Sequence, residues 1–153
     1  MSTHSTPEPA ARRTPSLSLD DQLCFALYAA SRAVVSAYRP LLERLGLTYP
    51  QYLVMLVLWE RGSVPVKELG SALHLDYGTL SPLLKRLEAA GLVSRERRAE
   101  DERSVLVRLT ERGSGLRKDA ECVPETMMRN FGVTAQEAAR LRELLLEIAE
   151  RMP

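Results

Sequence analysis

The stretch Asp76-Tyr-Gly-Thr-Leu-Ser-Pro-Leu-Leu-Lys-Arg-Leu-Glu-Ala-Ala-Gly-Leu-Val93 decides the fold. Leu80, Leu83, Leu84, Leu87 and Ala90 recur at i, i+3, i+4, i+7 and i+10, which lays an apolar stripe along one face of a helix. Asp76 or Thr79 is placed to cap its first amides, Pro82 must fall in its first turns to be tolerated, and Gly91 ends it. Two short extended runs follow, Leu92 to Arg97 and Ser104 to Leu109. The second alternates Val105, Val107 and Leu109 against Ser104, Leu106 and Arg108. Between them the charged segment Arg98 to Arg103 reads as a hairpin tip.

Just upstream, Val66, Leu69, Ala72 and Leu73 predict a short helix. A short helix, a tight turn, an amphipathic helix and a charged hairpin make a helix-turn-helix with a wing. Farther out, Thr48-Tyr-Pro-Gln51 has the form of a capping box with proline inside the first turn. The helix it opens is almost wholly apolar through Leu58, as a buried central helix should be, and Gly62 and Pro65 break it. Leu23, Leu27, Ala30, Val34 and Ala37 predict one long helix from Leu19 to about Tyr38. Pro40 either kinks it or starts a short continuation that ends at Gly46. Thr110 is expected to cap a helix running to about Asn130, and Thr134-Ala-Gln-Glu137 is a second capping box opening a last helix to Arg151.

The expected fold class is mainly α with a small β-hairpin wing. Residues 48–109 form the winged helix-turn-helix within a single domain over 19–153. The end helices, 19–46 and 111–152, exceed what so small a core needs and read as dimer-forming elements. Residues 1–18, rich in Ser, Thr and Pro, read as a disordered tail.

With 153 residues, 45% hydrophobic and 27% charged, the composition is that of an ordinary soluble globule. No run of apolar residues is long enough to span a membrane, and the N-terminal segment lacks the apolar region of a secretory signal, so a cytoplasmic location is expected. The two cysteines, Cys24 and Cys122, stand 98 positions apart and suggest neither a metal site nor a disulfide framework. In a reducing compartment they are free thiols, and no cofactor is expected. The net charge of +1 carries no argument for nucleic acid, so any such case depends on where the basic residues sit.

The second helix of a helix-turn-helix turns its N-terminal residues to base edges in the major groove. Those residues are Tyr77, Gly78, Thr79 and Ser81, with Lys85 and Arg86 a turn on to neutralise phosphate charge. The same face, taken alone, is equally a solvated helix surface. The hairpin weighs against that: Arg95, Arg97, Arg98 and Arg103 crowd it, and a wing-tip arginine suits the negative minor groove, with Arg103 the candidate. Glu100, Asp101 and Glu102 weaken the net field, and Asp101 is better suited to orienting an arginine than to meeting DNA.

The stretch from Asp76 to Val93, followed by Asp101-Glu-Arg-Ser-Val-Leu-Val-Arg-Leu-Thr110, resembles the MarR family of winged-helix regulators across about residues 19–150. The resemblance implies a homodimer bound to double-stranded DNA at a pseudo-palindromic operator, with the arginine of the Asp-x-Arg motif in the minor groove. A narrower likeness lies in Asp21-Gln-Leu-Cys-Phe-Ala-Leu-Tyr28 and Leu47-Thr-Tyr-Pro-Gln-Tyr-Leu-Val54, which resemble the organic-hydroperoxide-resistance branch. That likeness implies a cysteine, Cys24, oxidised by organic hydroperoxides and hydrogen-bonded by Tyr28, Tyr38 and Tyr49. It also implies that the oxidised cysteine is resolved either by a second cysteine of the other subunit or by a small-molecule thiol. Cys122 lies in the element expected for the former, a turn or two before the expected position near Met127 to Asn130.

The residues permit such chemistry. Cys24 sits in the first turns of a helix, where the dipole favours thiolate, although Asp20 and Asp21 oppose it. Apolar Leu23 and Phe25 suit an organic peroxide, and attack by the thiolate yields a sulfenic acid. Read by itself, Cys24 is better taken as a small buried hydrophobe, as most free cysteines are. Tyr38 lies fourteen positions beyond Cys24, about 21 Å along one helix, so a contact between them requires the partner subunit's Tyr38. Two other readings compete: a repressor released by a small aromatic ligand with Cys24 structural, and a thiol peroxidase. The second lacks a thioredoxin-like strand pattern and leaves the wing unexplained, so no enzyme is expected.

Overall fold

The computed structural model describes residues 16–99 and 101–153, the side chains of 101–103 apart. Most of the expected tail, residues 1–15, and the roles expected of Asp101 and Arg103 therefore lie outside the described residues. The chain is mainly helical with one small sheet, and it divides into two compact units, Met1–Ser36 and Ala37–Pro153.

A single 3-10 turn, Leu19–Asp21, precedes helix α1, Leu23–Glu43. The helix expected from Leu19 thus starts later, and it runs through Pro40 without becoming a separate element. Helix α2, Tyr49–Arg61, opens on the expected capping box: the Thr48 hydroxyl accepts from the Gln51 amide, and the Gln51 side chain accepts from the Thr48 amide at 2.9 Å. Val54, Met55 and Leu58 of α2 are wholly buried, which makes α2 the central helix of the core. Gly62, at φ 81°, ends it in a conformation open to glycine and costly to other residues.

Gly62 was expected only to break the chain, yet Ser63–Pro65 forms a strand, β1. With β2, Val93–Arg98, and β3, Asp101–Leu109, it makes an antiparallel sheet in the order β1-β3-β2, so the expected two-stranded hairpin is a three-stranded sheet. Val64 lies opposite Val107, and both are buried. Pro65 is tolerated because β1 is an edge strand, where a missing donor breaks no ladder on its open side.

Helix α3, Val66–Leu73, ends at His74, whose backbone is left-handed at φ 54°. Helix α4, Tyr77–Ala89, is capped by Asp76, whose carboxylate accepts from the Thr79 amide at 2.7 Å. Its Leu80, Leu83, Leu84 and Leu87 are all buried, as the stripe predicts, and Gly91 turns the chain at φ 74°.

Helix α5, Glu111–Ala120, is capped by Thr110 and is fastened to the end of α4. The Thr110 hydroxyl donates to the Gly91 carbonyl at 2.6 Å, the Thr110 amide to Leu92 at 3.1 Å and the Arg112 guanidinium to Ala90 at 3.0 Å. Three carbonyls past the helix end, which α4 itself cannot satisfy, find donors there. A side chain at Gly113 would put its Cβ 2.0 Å from the Leu92 carbonyl oxygen, so this close crossing admits glycine alone. The single helix expected from Thr110 to Asn130 is broken at Glu121 into α5 and α6, Cys122–Phe131. Pro124 accounts for the break: it has no amide for the Ala120 carbonyl, and its ring crowds that carbonyl. Helix α7, Ala135–Arg151, opens on the Thr134 to Glu137 capping box and buries no residue. No helix among the described residues is long and apolar enough to cross a membrane.

Candidate nucleic-acid interface and thiol sites

The residues expected to read DNA stand on two neighbouring elements. Tyr77, Thr79, Lys85 and Arg86 of α4 are exposed, and Ser81 is half-buried. Arg97, on β2, is also exposed. Arg95, also on β2, is half-buried. Its guanidinium grips the Glu88 carboxylate through two hydrogen bonds, 3.1 and 3.3 Å, and so ties β2 to the last turn of α4. The Arg95 hydrogen bond holds the Glu88 carboxyl below its ordinary range, and Glu88 in turn raises Arg95. On the solvent side of the sheet Arg108 pairs with Glu96 at 3.6 Å. A fork of two hydrogen bonds thus joins reading helix and wing, a feature invisible to periodicity because the partners lie on either side of the Gly91 turn.

The expected sensing residues fall into two groups. In the first unit, Cys24 is exposed in the first turn of α1, and Asp21, just before it, accepts a hydrogen bond from the Ser16 hydroxyl. Tyr28, one turn on, is exposed, with Arg32 donating to its hydroxyl at 3.1 Å and lying 5.6 Å from its ring centroid. The sequence reading passed over Arg32, although the i, i+4 spacing of Tyr28 and Arg32 was there to signal it.

In the second unit, the rings of Tyr38 and Tyr49 lie against each other, with centroids 4.6 Å apart. Tyr52, not singled out from the sequence, completes a triad at 5.7 Å from Tyr38 and 6.4 Å from Tyr49, and Trp59 meets Tyr52 edge-on. Burial, and next the charges of Tyr49 and Tyr52, push the Tyr38 phenol up to about 12. Burial also raises Tyr49, and it raises Tyr52, to which charge on Tyr49 and then on Cys122 adds. At neutral pH all three are therefore protonated donors. Cys122, the first residue of α6, is exposed, and its thiol lies 3.8 Å from the Asp119 carbonyl oxygen, to which it donates. Among the described residues no cluster of three or more His, Cys, Asp or Glu is arranged to hold a metal ion.

Residues 36–120 match the family described as Transcriptional regulator SarA/Rot. The chain is 52% identical to the HTH-type transcriptional regulator TtmR of Methylorubrum extorquens, over 88% of this chain and 69% of that one. It is 48% identical to the organic hydroperoxide resistance transcriptional regulator of Bacillus subtilis, over 89% of this chain and 92% of that one. Among solved structures, reduced AbfR bound to DNA superposes with a TM-score of 0.75 at 34% identity, covering 86% of this chain and 93% of that chain. AbfR, from Staphylococcus epidermidis, has also been solved overoxidised on DNA and in a disulfide-formed state.

Proposed function

The chain belongs to the SarA/Rot and MarR type of winged-helix transcriptional regulators, and from that premise we propose that it is a homodimeric repressor released from DNA by organic hydroperoxides through oxidation of Cys24. What carries the reading is an exposed thiol in the first turn of α1, in a chain 48% identical to an organic hydroperoxide resistance regulator. The Cys24 thiolate attacks one peroxide oxygen; the S–O bond forms as the O–O bond breaks, and the departing alkoxide takes a proton and leaves as an alcohol. Sulfur gives up two electrons and becomes sulfenic. A second thiol then displaces the hydroxyl as water, closing a disulfide. Cys122 of the partner subunit is the candidate for that step.

Tyr28 follows Cys24 on α1, while the partner subunit's Tyr38 and Tyr49 supply phenol donors whose raised affinity for protons keeps them protonated when a thiolate forms. A sensor shared between subunits sits where a local change alters the spacing of the two reading heads. On DNA, Tyr77, Thr79 and Ser81 face base edges and Lys85, Arg86 and Arg97 face phosphates, with Arg103 directed to the minor groove and Asp101 orienting it. The regulator works in the cytoplasm and needs no cofactor.

A gel-shift titration with cumene hydroperoxide tests the sensing step. The wild type is expected to release DNA and Cys24→Ser to stay bound; equal release by both variants ends the Cys24 reading. On a non-reducing gel, oxidation should yield a covalent dimer that Cys122→Ser lacks, and persistence of that dimer removes Cys122 from the mechanism.

A further inference from the structure

Trp59, the one tryptophan of the chain, stands between the tyrosine triad and the first turn of α5. It lies two turns beyond Tyr52 on α2, half-buried, with ring centroids 6.4 Å apart and 66° between the two planes. Tyr52 in turn packs against Tyr38 and Tyr49. On its other side the Trp59 indole N–H donates to the Gly113 carbonyl, 54 positions on, at 2.9 Å. A return link runs from α5, where the Arg117 guanidinium donates to the Trp59 carbonyl at 3.5 Å. Gly113 belongs to the turn of α5 that lies so close to Leu92 that no side chain fits between them. Through that same turn Thr110 and Arg112 hold the carbonyls of Ala90, Gly91 and Leu92 at the end of α4. Glu88, in the last turn of α4, extends the connection to β2 through Arg95.

We infer that Trp59 is a positioning residue that couples the Tyr38, Tyr49 and Tyr52 triad to the reading helix, passing movement of the tyrosine rings to the first turn of α5 and so to the end of α4. The inference rests on the sensing reading above and gives it a route within one protomer. Each step is a contact with little slack. Close-packed rings cannot move singly, so a shift of Tyr38 or Tyr49 toward the oxidised sulfur of the partner's Cys24 displaces Tyr52 and the indole beside it. The indole is tied at its nitrogen, and a hydrogen bond weakens steeply when bent, so the Gly113 carbonyl follows or the bond is lost. The crossing of Gly113 over Leu92 leaves no gap to absorb the movement. Packed side chains and hydrogen bonds between rigid elements are the kind of network that carries coupling between separated sites. A single neutral hydrogen bond at a half-buried position adds little to stability, so its part in coupling can be separated from a part in folding.

The test compares the wild type with Trp59→Phe, which keeps an aromatic ring and loses the N–H donor, on a duplex selected for tight binding to the reduced wild type. Reduced Trp59→Phe should bind that duplex as the wild type does. Cumene hydroperoxide should consume its Cys24 thiol at the wild-type rate, followed by alkylation and mass spectrometry. The ratio of reduced to oxidised affinity should nevertheless shrink several-fold. If peroxide leaves wild-type binding unchanged, the sensing reading has failed and the inference falls with it. If the wild type is released and Trp59→Phe keeps the same affinity ratio, the role of Trp59 alone is overturned. Fluorescence of Trp59, excited selectively, is a second measurement that needs no substitution at the site. Its emission should shift on addition of peroxide to the wild type and stay constant in Cys24→Ser. Release of DNA by the oxidised wild type with no change in emission means that the indole does not move with the switch, which also overturns the inference.

Discussion

Helices α4 and α7 are built by the same local rules and end in opposite circumstances. Each has a side-chain cap and a stripe of leucines at helical spacing. On α4, Leu80, Leu84 and Leu87 are at most 1% exposed, whereas on α7, Leu141, Leu144 and Leu146 are about half exposed and Leu145 is 37% exposed. Amphipathicity dictates that a face will be covered and says nothing of what covers it. The leucines of α4 are covered by their own chain, against α2 and the sheet. Those of α7 have no cover within the described chain, which is why a second copy is the proposed partner. The contrast breaks most sharply under mutation. Leu87→Ala should cost about 2–5 kcal/mol of unfolding free energy at any protein concentration, because it opens a cavity in a core the chain closes alone. Leu145→Ala should act through dimerisation. Each buried leucine contributes about 1.5–3 kcal/mol, and a two-fold interface loses both copies, so the dimer should weaken by about two orders of magnitude or more in sedimentation equilibrium. A concentration-independent loss for Leu145→Ala would mean that α7 is held by its own protomer.

What could be read in advance was whatever depends on a few consecutive residues. The capping boxes at Thr48 and Thr134, the Asp76 cap, the α4 stripe and the Gly91 turn all obey rules that span a turn or less, and each stands in the structure where it was expected. Features set by distant partners escaped. Strand β1 has only three residues, and it exists because Val64 meets Val107 across the sheet. The break before α6 had a local cause in Pro124, which the expectation of one helix from Thr110 did not use. The site divides along the same line. Tyr38 and Tyr49 were named from resemblance, as partners of Cys24, whereas their stacking with Tyr52 and the Glu88 fork emerge only when α1, α2, α4 and β2 are in place. The proposed sensing chemistry draws on a partner subunit, which no single chain's pattern describes.

The caps give smaller and finer tests of the same contrast. Thr134→Ala removes the hydroxyl that accepts from the Glu137 amide and should cost α7 about 0.5–2 kcal/mol, seen as faster amide exchange confined to that helix. The smallest effect lies in the carboxylates. Asp76 is held below its ordinary 3.8 by hydrogen bonds from Thr79, and Glu137 below 4.5 by hydrogen bonds from Thr134. A carboxylate lowered in the folded state stabilises fully above its ordinary value, and that stabilisation is lost as pH falls through the lowered one. Amide protection of both helix starts should therefore decline on acidification, and Asp76→Asn or Glu137→Gln should flatten the decline on its own helix. The two should part company in the Leu145→Ala background. A helix of 17 residues with no tertiary burial is marginal in water, so once the dimer is weakened α7 frays and Glu137→Gln has little left to change. Asp76→Asn should act as before, because α4 is fastened within its own chain. An unaltered effect of Glu137→Gln in that background would place the support of α7 inside the protomer and take away the helix on which the proposed dimer depends.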